Sequence, residues 1–335
     1  VEFESEVVGR ASSDLSEEEV VSVVIVSWNV RDLLLSLLAC LGAGPSGLQH
    51  QAIVVDNCST DGSADAVRES FPDVEVIANR RNLGFAAAAN QGLRRAHGAW
   101  VLLLNPDAEI DGASLRAMVE FMRSRPRAGV VGAALVDPCG RPQPWGHRFP
   151  SLLNMFFFLS RLEVVYPGRG LSRSIAGSAL DGADAVEVDW VRGACLLARR
   201  EVLEPLGGLD EDYFIFGEDV DLCYRVRQNG WRVYYLPWVR VVHRQGSSTR
   251  QVAGGLEVEV FRGHLLFFRK HRKLVQRVLL SGMLVFEIAA KTPFVLLLLI
   301  SRRRREYART RLSRYLGTLA AIAGRHPRRS AVAPA

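Results

Sequence analysis

The sequence predicts an α/β fold in which a mostly parallel sheet is covered by helices on both faces. Three observations carry that reading. The runs VSVVIVS (21–27), AIVVD (52–56) and AWVLLL (99–104) are almost wholly apolar and too short for helices, as expected of strands buried on both sides. Amphipathic stretches separate them, beginning with RDLLLSLLACL (31–41). Finally, the polar residues Asn29, Asp56 and Asp107 fall at or just beyond the ends of the strand patterns, and open α/β sheets bind ligands at the carboxyl ends of their strands.

The elements follow in order. After the first strand and helix, GAGPSG (42–47) matches G-x-G-x-x-G. It follows a helix and precedes a strand, the reverse of a dinucleotide-binding turn, and Pro45 sits where the helix should begin, so a Rossmann dehydrogenase is set aside. AIVVD leads into DGSADAVRESF (61–71), with Asp or Ser near its start. VEVIA (74–78), the Ala-rich NLGFAAAANQGLRRA (82–96) and AWVLLL continue the alternation. A helix over 113–124 and a strand over 129–136 precede a long irregular stretch, 137–185, that includes QPWGHRFPSLLNMFFFLSRL. A loop of that length in a compact domain is functional or mobile. Beyond VEVDWVRGACLLARR (186–200) and a short helix, a helix runs from Glu218 to Gln228 and stops at Asn229-Gly230. Two strands then lead to His243.

The chain has 335 residues, 48% of them hydrophobic, enough for one large core or two smaller ones. Cys40, Cys58, Cys139, Cys195 and Cys223 are odd in number and form no C-x-x-C pair. Neither a zinc site nor a disulfide framework is expected, and the reading is a reducing, cytoplasmic location. The first twenty residues are acidic and polar without the apolar segment of a signal peptide, and 1–19 is expected to be a disordered tail. Charge is unevenly placed. Residues 262–335 hold 17 of the 42 Lys and Arg but only two of the 36 acids, so this segment is +15 and the rest −9. An acidic body with a basic tail implies two jobs in two places.

Within the body, VLLLNPDAEI (101–110) is an apolar strand that ends in a proline-fixed carboxylate. Mg²⁺ takes oxygen ligands and retains waters, so one well-placed carboxylate such as Asp107 suffices if a second ligand arrives from elsewhere. The alternative, Asp107 as a helix cap, is weaker because Asp111 and Gly112 lie closer to the next helix. Asp56 closes a buried strand; its carboxylate can accept the imide N–H of uracil or thymine, or the N1–H and N2–H of guanine. Its plainer reading is an ordinary turn and cap. Asp219 sits at a helix start, where the dipole favours a carboxylate, but Glu218, Asp219 and Asp221 can also do no more than complement that dipole.

Together VVIVSWN (23–29), VVDNCSTDGS (54–63), NLGFAAAAN (82–90), LLNPDAEI (103–110), GED (217–219) and His243 resemble, in order and spacing, an inverting family 2 glycosyltransferase of GT-A fold. The resemblance covers roughly residues 20–245 and is nearest to the bacterial rhamnosyltransferase-like enzymes of cell-wall and polysaccharide assembly. It implies a GT-A catalytic domain over 20–261, with a nucleotide-binding half (20–110) and an acceptor-binding half (111–261). Ser27 and Asn29 would contact the nucleoside, and Arg81, Asn82 and Gly84 would face the same nucleotide. The family's D-x-D reads Asn105-Pro106-Asp107 here. Asp107 would bind a metal, and Asn105 would contact ribose or a metal-bound water. His243 matches a metal-ligating histidine and tilts the site toward Mn²⁺ over Mg²⁺. Asp219 matches the second acid of an E-D pair and would be the general base, with Glu218 orienting acceptor or loop. Trp190 and Gly193 match the acceptor-side segment, and Trp231 would line the same cleft unless it is simply core.

The tail contains LVQRVLLSGMLVFEIAAKTPFVLLLLI (274–300), interrupted by Arg277, Glu287, Lys291 and Pro293. The uninterrupted pieces are too short to span a bilayer, which takes roughly 18 or more apolar residues. FRKHRK (268–273) and RRRR (302–305) flank it, so 262–335 reads as a helical segment that anchors on an anionic membrane surface. Helices packed on the catalytic domain or on a second subunit are the alternative, and a homo-oligomer is compatible with either. Nucleic acid is set aside, because stacking aromatics are missing. The function expected is metal-dependent transfer from a nucleoside-diphosphate sugar, dTDP-rhamnose by subgroup resemblance, to a hydroxyl of a lipid-linked or polysaccharide acceptor. It would take place at the cytoplasmic face of a bacterial inner membrane. A non-catalytic nucleotide-sugar-binding or scaffold subunit is the competing reading.

Overall fold

The structure of the protein, a computed structural model, describes residues 20–43, 48–143, 146–160, 184–244 and 256–324. The expected tail 1–19, the end of GAGPSG and residues 161–183 of the irregular stretch lie outside the described residues.

The first half follows the sequence reading closely: β1 (Val20–Ser27), α1 (Arg31–Ala43), β2 (Gln49–Asp56), α2 (Ser63–Ser70), β3 (Glu75–Ala78), α3 (Phe85–Leu93) and β4 (Trp100–Leu104) alternate along the chain. β1 pairs in parallel with β2 and β4, and β2 with β3. Side chains alternate between the two faces of these strands. Val23, Ile25, Leu102 and Leu104 pack with Leu34, Leu37, Met118 and Met122 on one face. Val24, Val101 and Leu103 pack with Ala86, Ala89, Leu222 and Val226 on the other. Buried Ser22 is satisfied where it lies, donating to Gln51 Oε1 at 2.7 Å and accepting from Gly98 N at 3.0 Å.

The second half departs from expectation. β5 (Ala108–Glu109), α4 (Gly112–Ser124) and β6 (Ala128–Val136) are followed by β7 (Gly146–His147), α5 (Leu152–Ser160), β8 (Val186–Glu187), β9 (Trp190–Val191) and β10 (Cys195–Arg199). Next come α6 (Arg200–Leu203), α7 (Glu218–Gln228) and β11 (Arg232–His243). The main sheet runs β3-β2-β1-β4-β10-β6-β11-β5, with β8 on β11. It is mixed rather than mostly parallel: β10 lies antiparallel to both β4 and β6, while β11 is parallel to β6. The two expected strands before His243 are one, with a register shift between Leu236 and Arg240. Pro237 falls in that shift, where a missing N–H does least harm to the ladder.

The tail also differs. α8 (Leu256–His271), α9 (Leu274–Leu298) and α10 (Arg305–Ile322) are three helices, and α9 continues through Pro293. Its 25 residues are long and apolar enough to cross a membrane by length and composition. Two of the charges read as interruptions, Glu287 and Lys291, form an ion pair one turn apart. Met155, Phe267, Phe268, Leu280 and Leu284 form a core joining α5, α8 and α9.

A buried asparagine ties the two halves together. Asn90 Nδ2 donates to Leu209 O at 2.8 Å, and Leu209 N donates to Asn90 Oδ1 at 2.9 Å. The Asn90 side chain thus satisfies both polar groups of one loop residue. Asn90→Ala orphans both, at roughly 1–3 kcal/mol for each buried group. The expected result is an unfolding free energy lower by about 2–4 kcal/mol, read from urea titration.

Candidate active site

Ser27 and Asp56 stand opposite each other at the carboxyl ends of β1 and β2. Ser27 Oγ and Asp56 Oδ1 are buried and have no hydrogen-bond partner in the protein; such atoms are rare in native structures and call for a ligand or water. Asp56 Oδ2 accepts from Ser59 N at 3.0 Å, so the turn satisfies only one of its two oxygens. The neighbouring turns are laced together. Asn29 N donates to Ser59 Oγ at 2.9 Å and Asn29 Oδ1 accepts from Thr60 N at 2.7 Å, so the Asn29 amide oxygen serves the turn.

Asn57, which reads in the sequence only as a turn former, organises the next loop. Its Nδ2 donates to Asn82 Oδ1 at 2.8 Å, and its Oδ1 accepts from Leu83 N at 2.9 Å. Asn82 is therefore a strut of this edge, whereas Arg81 is exposed. Gly84 does permit a close approach, but the approach is that of Phe214: a Cβ would lie 2.5 Å from the Phe214 carbonyl oxygen, at a backbone φ of +83°.

Asp107 and His243 meet at the far side of the same edge. The pairing of β5 with β11 sets His243 opposite Ala108, and His243 Nε2 lies 3.4 Å from Asp107 Oδ1, both residues buried. The ring orientation is determined by Gln143, a residue that no motif singles out. Gln143 Nε2 donates to the His243 carbonyl at 2.6 Å, so its Oε1 must be the atom 2.9 Å from His243 Nδ1. A carbonyl oxygen only accepts; hence Nδ1 carries the proton and Nε2 is presented toward the carboxylate. A second-sphere acceptor on one ring nitrogen is how metal-ligating histidines are held. Among the described residues no cluster of three His, Cys, Asp or Glu exists.

Asp219 reaches this edge through β10. Asn105 N donates to Ala194 O at 3.0 Å, and the adjacent Gly193 N donates to Asp219 Oδ2 at 3.0 Å. Val220 N donates to Asp219 Oδ1 at 2.8 Å. The turn before α7 is unusual in its backbone: Phe216 has φ 68° and Gly217 φ 100°. Asn29, Cys58 and Phe216 are the three non-glycine residues with positive φ among the described residues, and all three lie in turns of this edge, where such strain concentrates at functional sites. Glu218 is buried with Oε2 unpartnered. Asp221 is wholly buried between Arg225 and His271, each at 2.6 Å.

Two acceptor-side residues separate. Trp190 on β9 stays near Gly193, its Nε1 donating to Arg148 O at 3.4 Å. Trp231 does not line the cleft. It precedes β11 and so lies at the opposite end of that strand from His243, packed beneath Gly129 with the Arg199 guanidinium 6.0 Å from its ring. A twelve-residue strand, at roughly 3.3 Å per residue, keeps these ends far apart. Trp231 is core. Arg192, between Trp190 and Gly193, was not foreseen either; its charge acts on Asp219.

Comparison with known proteins gives the family of the chain. Residues 22–179 match Glycosyl transferase family 2. The N-acetylglucosaminyl-diphospho-decaprenol L-rhamnosyltransferase of Mycobacterium tuberculosis is 31% identical over 242 residues, 69% of this chain and 78% of that enzyme. Rhamnosyltransferase WbbL of Escherichia coli is 24% identical over 73% of this chain and 89% of its own. In fold the protein is similar to the mannosyltransferase PcManGT of Pyrobaculum calidifontis, solved with GDP-Man and Mn²⁺. That match has a TM-score of 0.53 at 19% identity and covers 91% of this chain and 88% of that one. With its fold, its ordered motifs and this relationship in place, the chain belongs to glycosyl transferase family 2, the inverting glycosyltransferases of GT-A fold, and is related to the bacterial rhamnosyltransferases.

Proposed function

We propose that the protein transfers a sugar, rhamnose by the reading of its relatives, from a nucleoside-diphosphate donor to a hydroxyl of a lipid-linked or polysaccharide acceptor, with Asp219 as general base. The observation that carries this reading is the Gln143-oriented His243 facing Asp107 on the sheet edge that also holds Asp56 and Asp219. Asp56 Oδ1 and Ser27 Oγ take the base and ribose of the nucleotide, since both are buried and lack partners. Asp107 and His243 hold a divalent cation, Mn²⁺ or Mg²⁺; a carboxylate with an imidazole suits either, and Mn²⁺ better. Such a cation stabilises the charge of a departing diphosphate.

Asp219 removes the acceptor proton as the hydroxyl oxygen attacks the anomeric carbon. The bond to the diphosphate breaks with its electron pair on the leaving oxygen, and the configuration inverts. Burial raises the Asp219 carboxyl above the ordinary range, while hydrogen bonds from Gly193 and Val220 and the charge of Arg192 pull it back. Burial thus makes Asp219 a stronger base than an ordinary carboxylate, while those hydrogen bonds and that charge favour its ionised form. Burial first, and the Asp219 charge second, push the Glu218 carboxyl up to about 8. At neutral pH Glu218 therefore holds its proton, and its O–H is a donor for an acceptor oxygen.

A membrane surface supplies the acceptor in this reading. Phe286 on α9 and Ile300 just beyond its end are 76% and 78% accessible, between the bases of 269–273 and Arg302 to Arg305. Exposed apolar side chains bounded by cations suit an anionic bilayer surface, at the cytoplasmic face of the membrane.

Asp219→Asn should lower kcat by about 10²–10⁴-fold while Mn²⁺-dependent thermal stabilisation by nucleoside diphosphates persists; full transfer activity in that variant would exclude Asp219 as the base. Gln143→Leu should weaken Mn²⁺ by about 10–100-fold, measured by titrating the metal against bound nucleotide. The third prediction concerns pH. Glu218 titrates from an ordinary 4.5 to about 8 on folding, so the folded state holds the extra proton between those values. Its contribution to stability is complete below about 4.5 and is lost as pH rises through 8. Glu218→Gln should therefore gain on the wild type from pH 5 to pH 8 in urea unfolding, by no more than about 1.4 kcal/mol per pH unit. Parallel stability curves would refute the assignment.

A further inference from the structure

The sequence reading separates a catalytic domain ending at 261 from a membrane segment beginning at 262. Side-chain contacts in the structure cross that boundary. On α8, Lys270 pairs with Asp210 and, at 2.7 Å, with Asp212. The next residue, His271, places Nε2 2.6 Å from Asp221 Oδ1. Both contacts fall on the acidic stretch 209–221, which carries Glu218 and Asp219. Seven residues before Lys270, Gly263 lies flat on the turn that precedes α7: a Cβ there would be 2.5 Å from the Phe216 carbonyl oxygen and 3.6 Å from Gly217 Cα. Gly217 in turn leaves no room beside Gly263 Cα, 3.3 Å from where its own Cβ would stand.

Asp221 is the junction. It is wholly buried and two residues from Asp219, on the first turn of α7. Arg225 Nε reaches its Oδ2 at 2.6 Å, and Arg225 also donates to the carbonyls of Leu206 and Gly208 at 3.0 and 2.9 Å. Tyr213 OH donates to Asp221 Oδ1 at 3.4 Å. Arg225 thus closes the network from within α7, and His271 closes it from α8. The His271 ring is wedged between Tyr224 and Phe267, with centroids 4.4 and 4.9 Å away. A histidine so placed has one orientation available. Nothing in it touches the cleft.

We infer that α8 is part of the catalytic machinery: His271, through Asp221, is a positioning residue that holds the α7 N-terminus and with it the Asp219 carboxylate against Gly193. A displacement near 1 Å of a reacting group costs on the order of 10²-fold in rate. Asp56 ends β2, Asp107 follows β4 and His243 ends β11, so in this proposal these donor-side groups are carried by elements other than α7 and α8. The inference rests on Asp219 as the base.

The test is steady-state transfer by the full chain, together with nucleoside-diphosphate binding in Mn²⁺. His271→Ala should lower kcat by about 10–100-fold with donor KM and nucleotide affinity within about twofold. His271→Gln, which keeps an N–H donor of similar reach, should restore most of the rate. Gly263→Ala is an independent probe. Alanine favours a helix over glycine, so α8 itself is not weakened, but the methyl pushes α8 off Phe216 and should reproduce the selective loss of kcat. A wild-type rate in both His271→Ala and Gly263→Ala overturns the inference. So does a rate loss that only tracks loss of nucleotide binding, or a His271→Gln variant no better than His271→Ala. Asp219→Asn separates the two claims: if it transfers normally the base assignment fails, whereas a dead Asp219→Asn beside a fully active His271→Ala removes only the clamp.

Discussion

Because β10 runs against both β4 and β6, its first residues rather than its last arrive at the carboxyl edge of the parallel strands. Gly193 and Ala194 therefore come to rest beside Asn105, and Gly193 offers its N–H to Asp219. A parallel strand in the same place would have delivered Arg199 instead. The direction of this one strand joins the half of the molecule that holds Asp56 to the half that holds Asp219. The remaining features of the site either lie on that edge or brace it.

The edge concentrates charge in a place with little water. Asp56, Asp107, Glu218, Asp221 and His243 are all buried, and burial of a charge without compensation is unfavourable. The structure compensates each in its own way. Asp221 is given Arg225 and His271, which outweigh the effect of burial and hold its carboxyl below the ordinary range. His243 is given an amide partner on one nitrogen and a carboxylate beside the other. Glu218 is left protonated. Asp56 has one oxygen satisfied by Ser59 N and one left unpartnered.

The C-terminal helices share a core with α5 through Met155, Phe267 and Leu284, while the outer side of α9 stays apolar and accessible. The inner side of the same region, at Gly263, Lys270 and His271, packs on the segment 210–221 that carries Asp219. One helical segment thus has an exposed apolar side and a side packed on the turn before α7, and the sharp change in charge at 262 coincides with no break in side-chain contacts.

Much of this was legible in the sequence. Apolar runs of strand length and helices at the right spacing determine a sheet covered on both faces, because no other arrangement buries VSVVIVS and AWVLLL without exposing them. The places of Asp56, Asp107, Asp219 and His243 were legible too, at or beside the ends of strands and the start of a helix, whereas their expected roles came from the order of the family's motifs. Gln143, Arg192 and His271 were not, since a lone glutamine, arginine or histidine carries no periodicity and acquires meaning only from what folds against it. Trp231 failed as a cleft residue because the pattern that marks a strand does not say which of its ends faces the ligand. Strand direction, the single ladder of β11 and the path of α9 through Pro293 depend on long-range pairing and side-chain contacts. Local composition determines which segments are buried; only the closed tertiary network decides which buried side chains meet.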